Sequence, residues 1–140
     1  MKKIVLLLFL TATISSFKTT QKVASFNIVG EWTGQDKKNA NGSFIFDKEG
    51  YATMIRGEET MGGKEFELEG IKASMQYVMD ESSNPIKFDL VVTALKNKQT
   101  KSMKMLLKII DDNTIQLASN FNQIRPTAFT KENTITLKRE

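Results

Sequence analysis

Alternation of apolar and polar residues is the main pattern along this chain from Ile28 onward. It is clearest in two runs, where every second residue is apolar: Ala73, Met75, Tyr77 and Met79 in the first, and Ile86, Phe88, Leu90 and Val92 in the second. Successive side chains of a β-strand point to opposite faces, so each run predicts a strand with one buried face.

Turn-forming residues separate these runs at short intervals. Asp47-Lys48-Glu49-Gly50 lies between two apolar runs and predicts a hairpin, because glycine adopts positive φ without steric cost. Glu81 to Pro85 and Asp111 to Asn113 predict further turns. Shorter apolar runs predict additional strands at Ile28–Thr33, Ser43–Phe46, Tyr51–Arg56, Thr114–Ala118 and Thr134–Lys138.

Two stretches are less regular. Gly62-Gly63 is expected to interrupt any regular element between Gly57 and Gly70, although Phe66 and Leu68 suggest a short strand. Lys101 to Ile110 fits the face of a helix and the alternation of a strand equally well, and the neighbouring hairpin signals favour a strand.

The whole pattern comprises eight to ten short strands without a clear helix. It is typical of an antiparallel sandwich or an up-and-down barrel. Short connections favour strands that neighbour the next strand in sequence, and closure of the sheet leaves no exposed edge. We therefore expect an all-β domain at residues 27–140, forming an antiparallel up-and-down β-barrel of about eight strands.

The first 20 residues differ from this pattern. Lys2 and Lys3 precede an apolar run from Ile4 to Leu10, and small or polar residues follow. This order is typical of a secretory signal peptide rather than an uncleaved anchor, which needs roughly 20 apolar residues. We expect a signal peptide within residues 1–20 and a periplasmic or secreted mature chain without stable membrane insertion. The sequence has no cysteine to which a lipid could be attached.

The composition of the chain argues against nucleic-acid binding and excludes several kinds of catalytic and metal site. The formal net charge is +4 over 140 residues, and 18 basic against 16 acidic residues remain when Lys2 and Lys3 are set aside. This near-neutral, lysine-rich balance favours a solvated surface over nucleic-acid binding. The sequence has no histidine and no cysteine, which removes serine–histidine and cysteine–histidine nucleophiles and the common zinc ligands.

Carboxylates are the remaining catalytic candidates. Most lie in predicted turns or on a solvated strand face, which favours a solubilising role over a glycosidase pair: Glu58, Glu59, Glu65, Glu67, Glu69, Asp80 and Glu81. The turn Asp111-Asp112-Asn113 lacks the glycine and the distal glutamate of a calcium loop. We expect a monomer without enzyme activity, cofactor or metal.

The stretch Gly30-Glu31-Trp32 resembles the Gly-x-Trp motif of lipocalin-type barrels. Later stretches are similar, in their order, to a family of exported bacterial lipocalin-like domains of mostly unassigned function: Gly42–Met54, Tyr77–Asp80, Asn84–Leu90, Asp111–Asn113 and Arg125–Phe129. The resemblance covers most of Val29 to Glu140. It implies that Trp32 closes the barrel floor under an arginine, here Arg125, stacked on the indole. The pattern lacks the helix that other lipocalins carry between their last strands, which indicates a shorter relative with less room for a ligand.

Large apolar residues of the predicted strands are the candidates for a ligand site. Five methionines fall within the predicted strands, where they favour ordinary core packing but could also form a deformable apolar pocket: Met54, Met75, Met79, Met103 and Met105. We expect a small lipophilic molecule, apolar or amphipathic, to bind in the barrel mouth opposite Trp32. The expected lining is Phe44, Phe46, Met75, Tyr77, Phe88 and Met105.

The alternative is a filled barrel that acts as an envelope or secreted interaction module. Eight strands enclose either packed side chains or one small ligand, so both states fit the sequence. A cavity of about 300 Å³ or more with apolar walls would favour ligand binding.

Overall fold

Nine antiparallel strands close into a barrel in the part of the chain that the computed structural model describes, residues 25–35, 41–120 and 122–140. The strands follow one another around the barrel in sequence order: β1 (Gly30–Gln35), β2 (Asn41–Phe46), β3 (Ala52–Arg56), β4 (Glu59–Leu68), β5 (Ile71–Asp80), β6 (Ile86–Ala94), β7 (Thr100–Asp111), β8 (Thr114–Ser119) and β9 (Thr134–Arg139). The predicted signal peptide at residues 1–20 lies outside the described residues.

The predicted fold class is confirmed at the level of an all-β, antiparallel, up-and-down closed barrel, with nine strands instead of about eight. The ambiguous stretch Lys101–Ile110 is part of strand β7, as the hairpin signals indicated. The hairpin at Asp47–Gly50 is confirmed as well, since the Asp47 backbone N–H donates to the Tyr51 carbonyl at 3.0 Å.

Strand β4 explains how nine strands can close. A ring in which every neighbour is antiparallel requires an even number of strands, so one strand must change direction. The first part of β4 pairs with β3 (Met54 opposite Met61), and the second part pairs with β5 (Phe66 opposite Ala73), with a register shift after Gly63. Strand β4 therefore bends back on itself between its neighbours.

Strands β3 and β5 meet directly beyond this bend. Tyr51 and Gln76 form an antiparallel bridge, and the Tyr77 backbone N–H donates to the Gly50 carbonyl at 2.9 Å. Eight strands thus complete the ring at one end of the barrel, and the bent β4 is inserted only at the other end. The insertion increases the circumference at that end alone.

Glycine is required at the bend of β4. Gly62 has φ of +112°, and a Cβ atom there would lie 2.2 Å from the Ala52 carbonyl oxygen and 2.5 Å from the Met75 methyl. A side chain would meet both backbone strain and a backbone collision. The prediction that Gly62-Gly63 interrupts the element is wrong, because the strand continues through the two glycines by bending.

Aromatic residues fill the half of the barrel away from β4. The rings of Phe46, Tyr77 and Phe88 pack mutually, with centroids 5.1 Å (Phe46–Tyr77), 5.6 Å (Phe46–Phe88) and 6.2 Å (Tyr77–Phe88) apart. Phe46 and Phe88 are fully buried. These contacts, in offset and edge-on geometries, stabilise the interior beyond the burial of apolar area.

The connection from β8 to β9, described at residues 120 and 122–133, lies in part on the outer surface of the barrel. Arg125 donates to the Met105 carbonyl at 2.6 Å and pairs with Asp89 at 2.8 Å, which joins this connection to β6 and β7. Leu106 and Ala118 are buried although they alternate with inward-facing neighbours. These two side chains therefore form an apolar patch on the outer face of β7 and β8 that is shielded from solvent.

Candidate functional site

The two ends of the barrel differ in how they are closed. At one end, which we call the closed end, Trp32 is fully buried and its indole N–H donates to the Ile28 carbonyl at 2.8 Å. The guanidinium of Arg139 lies 4.2 Å from the indole centroid. It also donates to the carbonyls of Val29, Asn27 and Asp112 at 2.6 to 3.2 Å, so its charge is satisfied by the backbone around the plug.

The arginine over Trp32 is Arg139 and not Arg125, which corrects the prediction made from the resemblance. Antiparallel pairing of β1 with β9 sets Trp32 opposite Arg139, whereas Arg125 is held on the outer face by Asp89. Gly30 makes room for this arrangement, since a Cβ atom there would lie 3.0 Å from the Arg139 guanidinium. Extending the alternation of Ile135 and Leu137 by two residues would have placed Arg139 on the inner face, but the predicted strand ended at Lys138.

At the opposite end, which we call the mouth, a cavity of about 710 Å³ is open to solvent. One wall is apolar and comes from β3, β4 and β5: Met54, Met61, Leu68, Ile71 and Met75. Leu90 and Val92 on β6 extend this apolar wall toward β7. The cavity lies at the end where the bent β4 widens the barrel, and Met61 on β4 itself contributes to the lining.

The other wall is largely polar. It comes from β7, the end of β8 and the start of the β8–β9 connection: Lys101, Ser102, Ser119, Asn120 and Gln123. Met103 is the apolar member of this side. The cavity therefore has an apolar side and a polar side that face each other across the mouth.

The residues predicted for the ligand site lie mostly below this cavity. Met75 is part of the lining, whereas Phe46, Tyr77 and Phe88 form the aromatic cluster described above. Phe44 stacks on Phe46 with centroids 6.0 Å apart, and Met105 is buried in the core. The sequence indicated that these side chains face inward but carried no information on their depth along the barrel axis.

The prediction omitted several apolar residues that line the cavity. Met54 and Met103 were recognised as interior methionines but were not assigned to the site. Met61 was omitted because the stretch at Gly62-Gly63 was read as interrupted, whereas Leu68 and Ile71 were placed in predicted strands but not assigned to the site. Each of these three is at least one-third exposed, at 38%, 38% and 55%, which is unusual for apolar side chains that lie on one concave surface.

Two charged side chains among the described residues line the cavity, Lys101 and Glu69. Lys101 lies opposite Val92 on the inner face of β7, and Glu69 lies in the turn from β4 to β5. Neither forms an ion pair with any residue that the structure describes. Both charges therefore remain accessible to a bound molecule.

Tyr77 lies in the interior below the cavity, and its phenol has a shifted pKa. Its hydroxyl donates to the Asp47 carbonyl at 2.8 Å. Burial raises the pKa of the Tyr77 phenol, and the negative charge of Asp47 adds to the effect. The phenol is thus held neutral and acts as a hydrogen-bond donor that fixes the hairpin between β2 and β3.

The described residues contain no group of three or more aspartate, glutamate, histidine or cysteine side chains placed to hold a metal ion. Across the same ranges, no helix has the length and apolar character needed to cross a membrane. The chemistry that the site offers is apolar contact, a few hydrogen-bonding groups and two charges.

Comparison of the chain with protein-family models, with curated proteins and with solved structures finds no significant match.

Proposed function

We propose that this chain is an exported lipocalin-like protein that binds a small apolar or amphipathic molecule in the mouth of its barrel. One observation carries the proposal: exposed apolar side chains converge on one concave surface. Four of the seven large apolar residues that are exposed in the described structure line the cavity, namely Met61, Leu68, Ile71 and Met103. Apolar surface that remains accessible in a concavity is typical of a binding site.

The size and composition of the cavity support the same function. Its volume of about 710 Å³ falls within the roughly 300–1,000 Å³ of small-molecule sites. Met54, Met61, Met75 and Met103 contribute four flexible thioether side chains, which can repack around ligands of different shape. The proposal retains a periplasmic or secreted monomer that holds its ligand without catalysing a reaction.

A second candidate function is an interaction module that acts through its surface, and the filled closed half of the barrel supports it. The aromatic cluster fills the closed half of the described interior with side chains, as expected of a barrel that holds no ligand there. In this case the mouth would be an open rim and not a binding site.

The experiment that tests the proposal is a fluorescence titration with N-phenyl-1-naphthylamine, an uncharged apolar probe. We expect saturable binding by the wild-type chain. The double substitution Met61→Gln and Met103→Gln should weaken binding about tenfold or more, because each methionine contributes up to a few kcal/mol of apolar contact.

Val78→Gln is the matched control, since Val78 is 55% exposed but is not part of the cavity lining. It should leave the dissociation constant unchanged. Absence of saturable binding by the wild-type chain would favour the interaction module. Equal weakening by the control would show that the probe binds elsewhere.

A further inference from the structure

We infer that the ligand is a single-chain amphiphile with an anionic head group, and that it lies across the mouth with its head against strand β7. This inference rests on the proposed function and specifies the ligand class of the same cavity. It follows from the separation of the two walls, from the position of Lys101 and from the filled space beneath.

The separation of the walls sets the orientation of the ligand. Strands β3, β4 and β5 present side chains without hydrogen-bonding groups, whereas Ser119, Asn120 and Gln123 on the far side present hydroxyl and amide groups. An alkyl chain gains from contact with the first wall, and a polar head avoids loss of hydrogen bonds by facing the second wall. A ligand with an alkyl chain and a polar head therefore fits when it lies across the mouth from one wall to the other, and not when it extends along the barrel axis.

Lys101 sets the sign of the head-group charge. Lys101 pairs with Val92 of β6, and the next inward residue of β7, Met103, pairs with Leu90. Lys101 therefore lies nearer the mouth than the apolar side chains of Met103 and Leu90. Its ammonium group is the one positive charge among the lining residues that the structure describes. With no ion-pair partner in the described structure, it can pair with an anionic group of the ligand.

Glu69 opposes this attraction from the other side of the cavity. It lies in the turn from β4 to β5, whereas Lys101 is on β7, with β5 and β6 between them. The carboxylate is thus beside the apolar wall, where the alkyl chain lies, and away from the polar groups that surround the head. Its presence predicts weaker binding of anions than Lys101 alone would give.

The filled closed half prevents an axial placement. Phe46, Tyr77 and Phe88 occupy the interior on the closed-end side of Leu90 and Met75, and the Tyr77 hydroxyl is held by the Asp47 carbonyl in the hairpin at that end. An alkyl chain cannot extend down the barrel without displacing these rings. It must instead follow the methionines of β3, β4 and β5.

The test compares decanoate with 1-decanol, which have the same chain length and differ in head-group charge, by displacement of N-phenyl-1-naphthylamine at pH 8 and low salt. Lys101→Gln should weaken decanoate binding about fivefold, the upper range for an exposed ion pair, and leave decanol binding unchanged. Glu69→Gln should strengthen decanoate binding up to about threefold by the same reasoning. High salt should weaken decanoate binding only.

Lys108→Gln is the matched control, because Lys108 is exposed on β7 but is absent from the cavity lining. It should leave both affinities unchanged. If decanol binds and Lys101→Gln alters decanoate no more than Lys108→Gln does, the head-group inference is overturned while the binding function stands. If the probe binds but neither decanol nor decanoate displaces it, the inference of a single-chain amphiphile is overturned while the binding function stands. If the wild-type chain does not bind the probe, the proposed function itself fails.

Discussion

The closed end and the mouth of this barrel are built from different side chains for different purposes. The closed end uses one rigid aromatic plug, Trp32, whose ring is stacked by Arg139 and whose indole N–H is hydrogen-bonded. The mouth uses flexible methionines with part of their surface exposed, and its two charges are unpaired within the described structure. If the mouth binds a ligand as we propose, stability and ligand binding depend on separate ends of one interior, and substitutions should separate the two properties.

The largest expected effect is at the plug. Trp32→Ala should lower the free energy of unfolding by about 3–5 kcal/mol, because it removes a fully buried indole and leaves a cavity. Met103→Ala, which truncates a side chain that is 43% exposed in the mouth, should cost about 1 kcal/mol or less. Urea unfolding followed by circular dichroism measures both. Similar losses for the two variants would contradict the division of roles.

The next effect tests how the mouth is widened. Gly62→Ala should cost about 2–4 kcal/mol, because the new Cβ atom combines an unfavourable φ with a collision against the Ala52 carbonyl. Gly70→Ala is the control, since Gly70 also has positive φ (+78°) but has no atom within 4 Å of the Cβ position. It should cost about 1–2 kcal/mol through strain alone. Thermal unfolding of the two variants gives the comparison, and equal losses would show that β4 relaxes around the methyl group.

The smallest effect concerns the arginine of the closed end. Arg139→Gln should cost about 1–2 kcal/mol, because it removes the cation–π contact and several hydrogen bonds to the backbone. It should also change the emission of Trp32, the single tryptophan of the sequence. Arg125→Gln should leave that emission unchanged, since Arg125 contacts Asp89 on the outer surface. A shift with Arg125→Gln and none with Arg139→Gln would restore the original assignment.

Local patterns were sufficient for most of the fold. Strand β5 runs from Ile71 to Asp80, as its alternation predicts, because turn residues mark both ends and its inward residues are apolar. Only the part of β4 around Phe66 and Leu68 was predicted, because Gly62 and Gly63 usually end a strand. The close approach of Gly62 to Ala52 and Met75 shows that the glycines bend the strand instead. This contact joins distant parts of the chain and leaves no local trace in the sequence.

The candidate site was less predictable than the fold for the same reason. Alternation shows whether a residue faces inward, and it correctly grouped Met75 with Tyr77 on the inner face of β5. It does not show depth along the barrel axis, which is set by how the strands are staggered when the barrel closes. Two positions along one strand therefore separate Met75 in the mouth from Tyr77 in the packed half.

Pairing of β1 with β9 has a practical consequence for the orientation of the molecule on a support. The Glu140 backbone N–H donates to the Glu31 carbonyl at 3.0 Å, and the Glu140 carboxylate accepts from the Thr33 hydroxyl at 2.7 Å. Residues 25–29 lie beside the same end, next to Trp32 and Arg139. A tether attached at Ser25 or at Glu140 would thus hold the closed end toward the support and leave the methionine-lined mouth facing the solution.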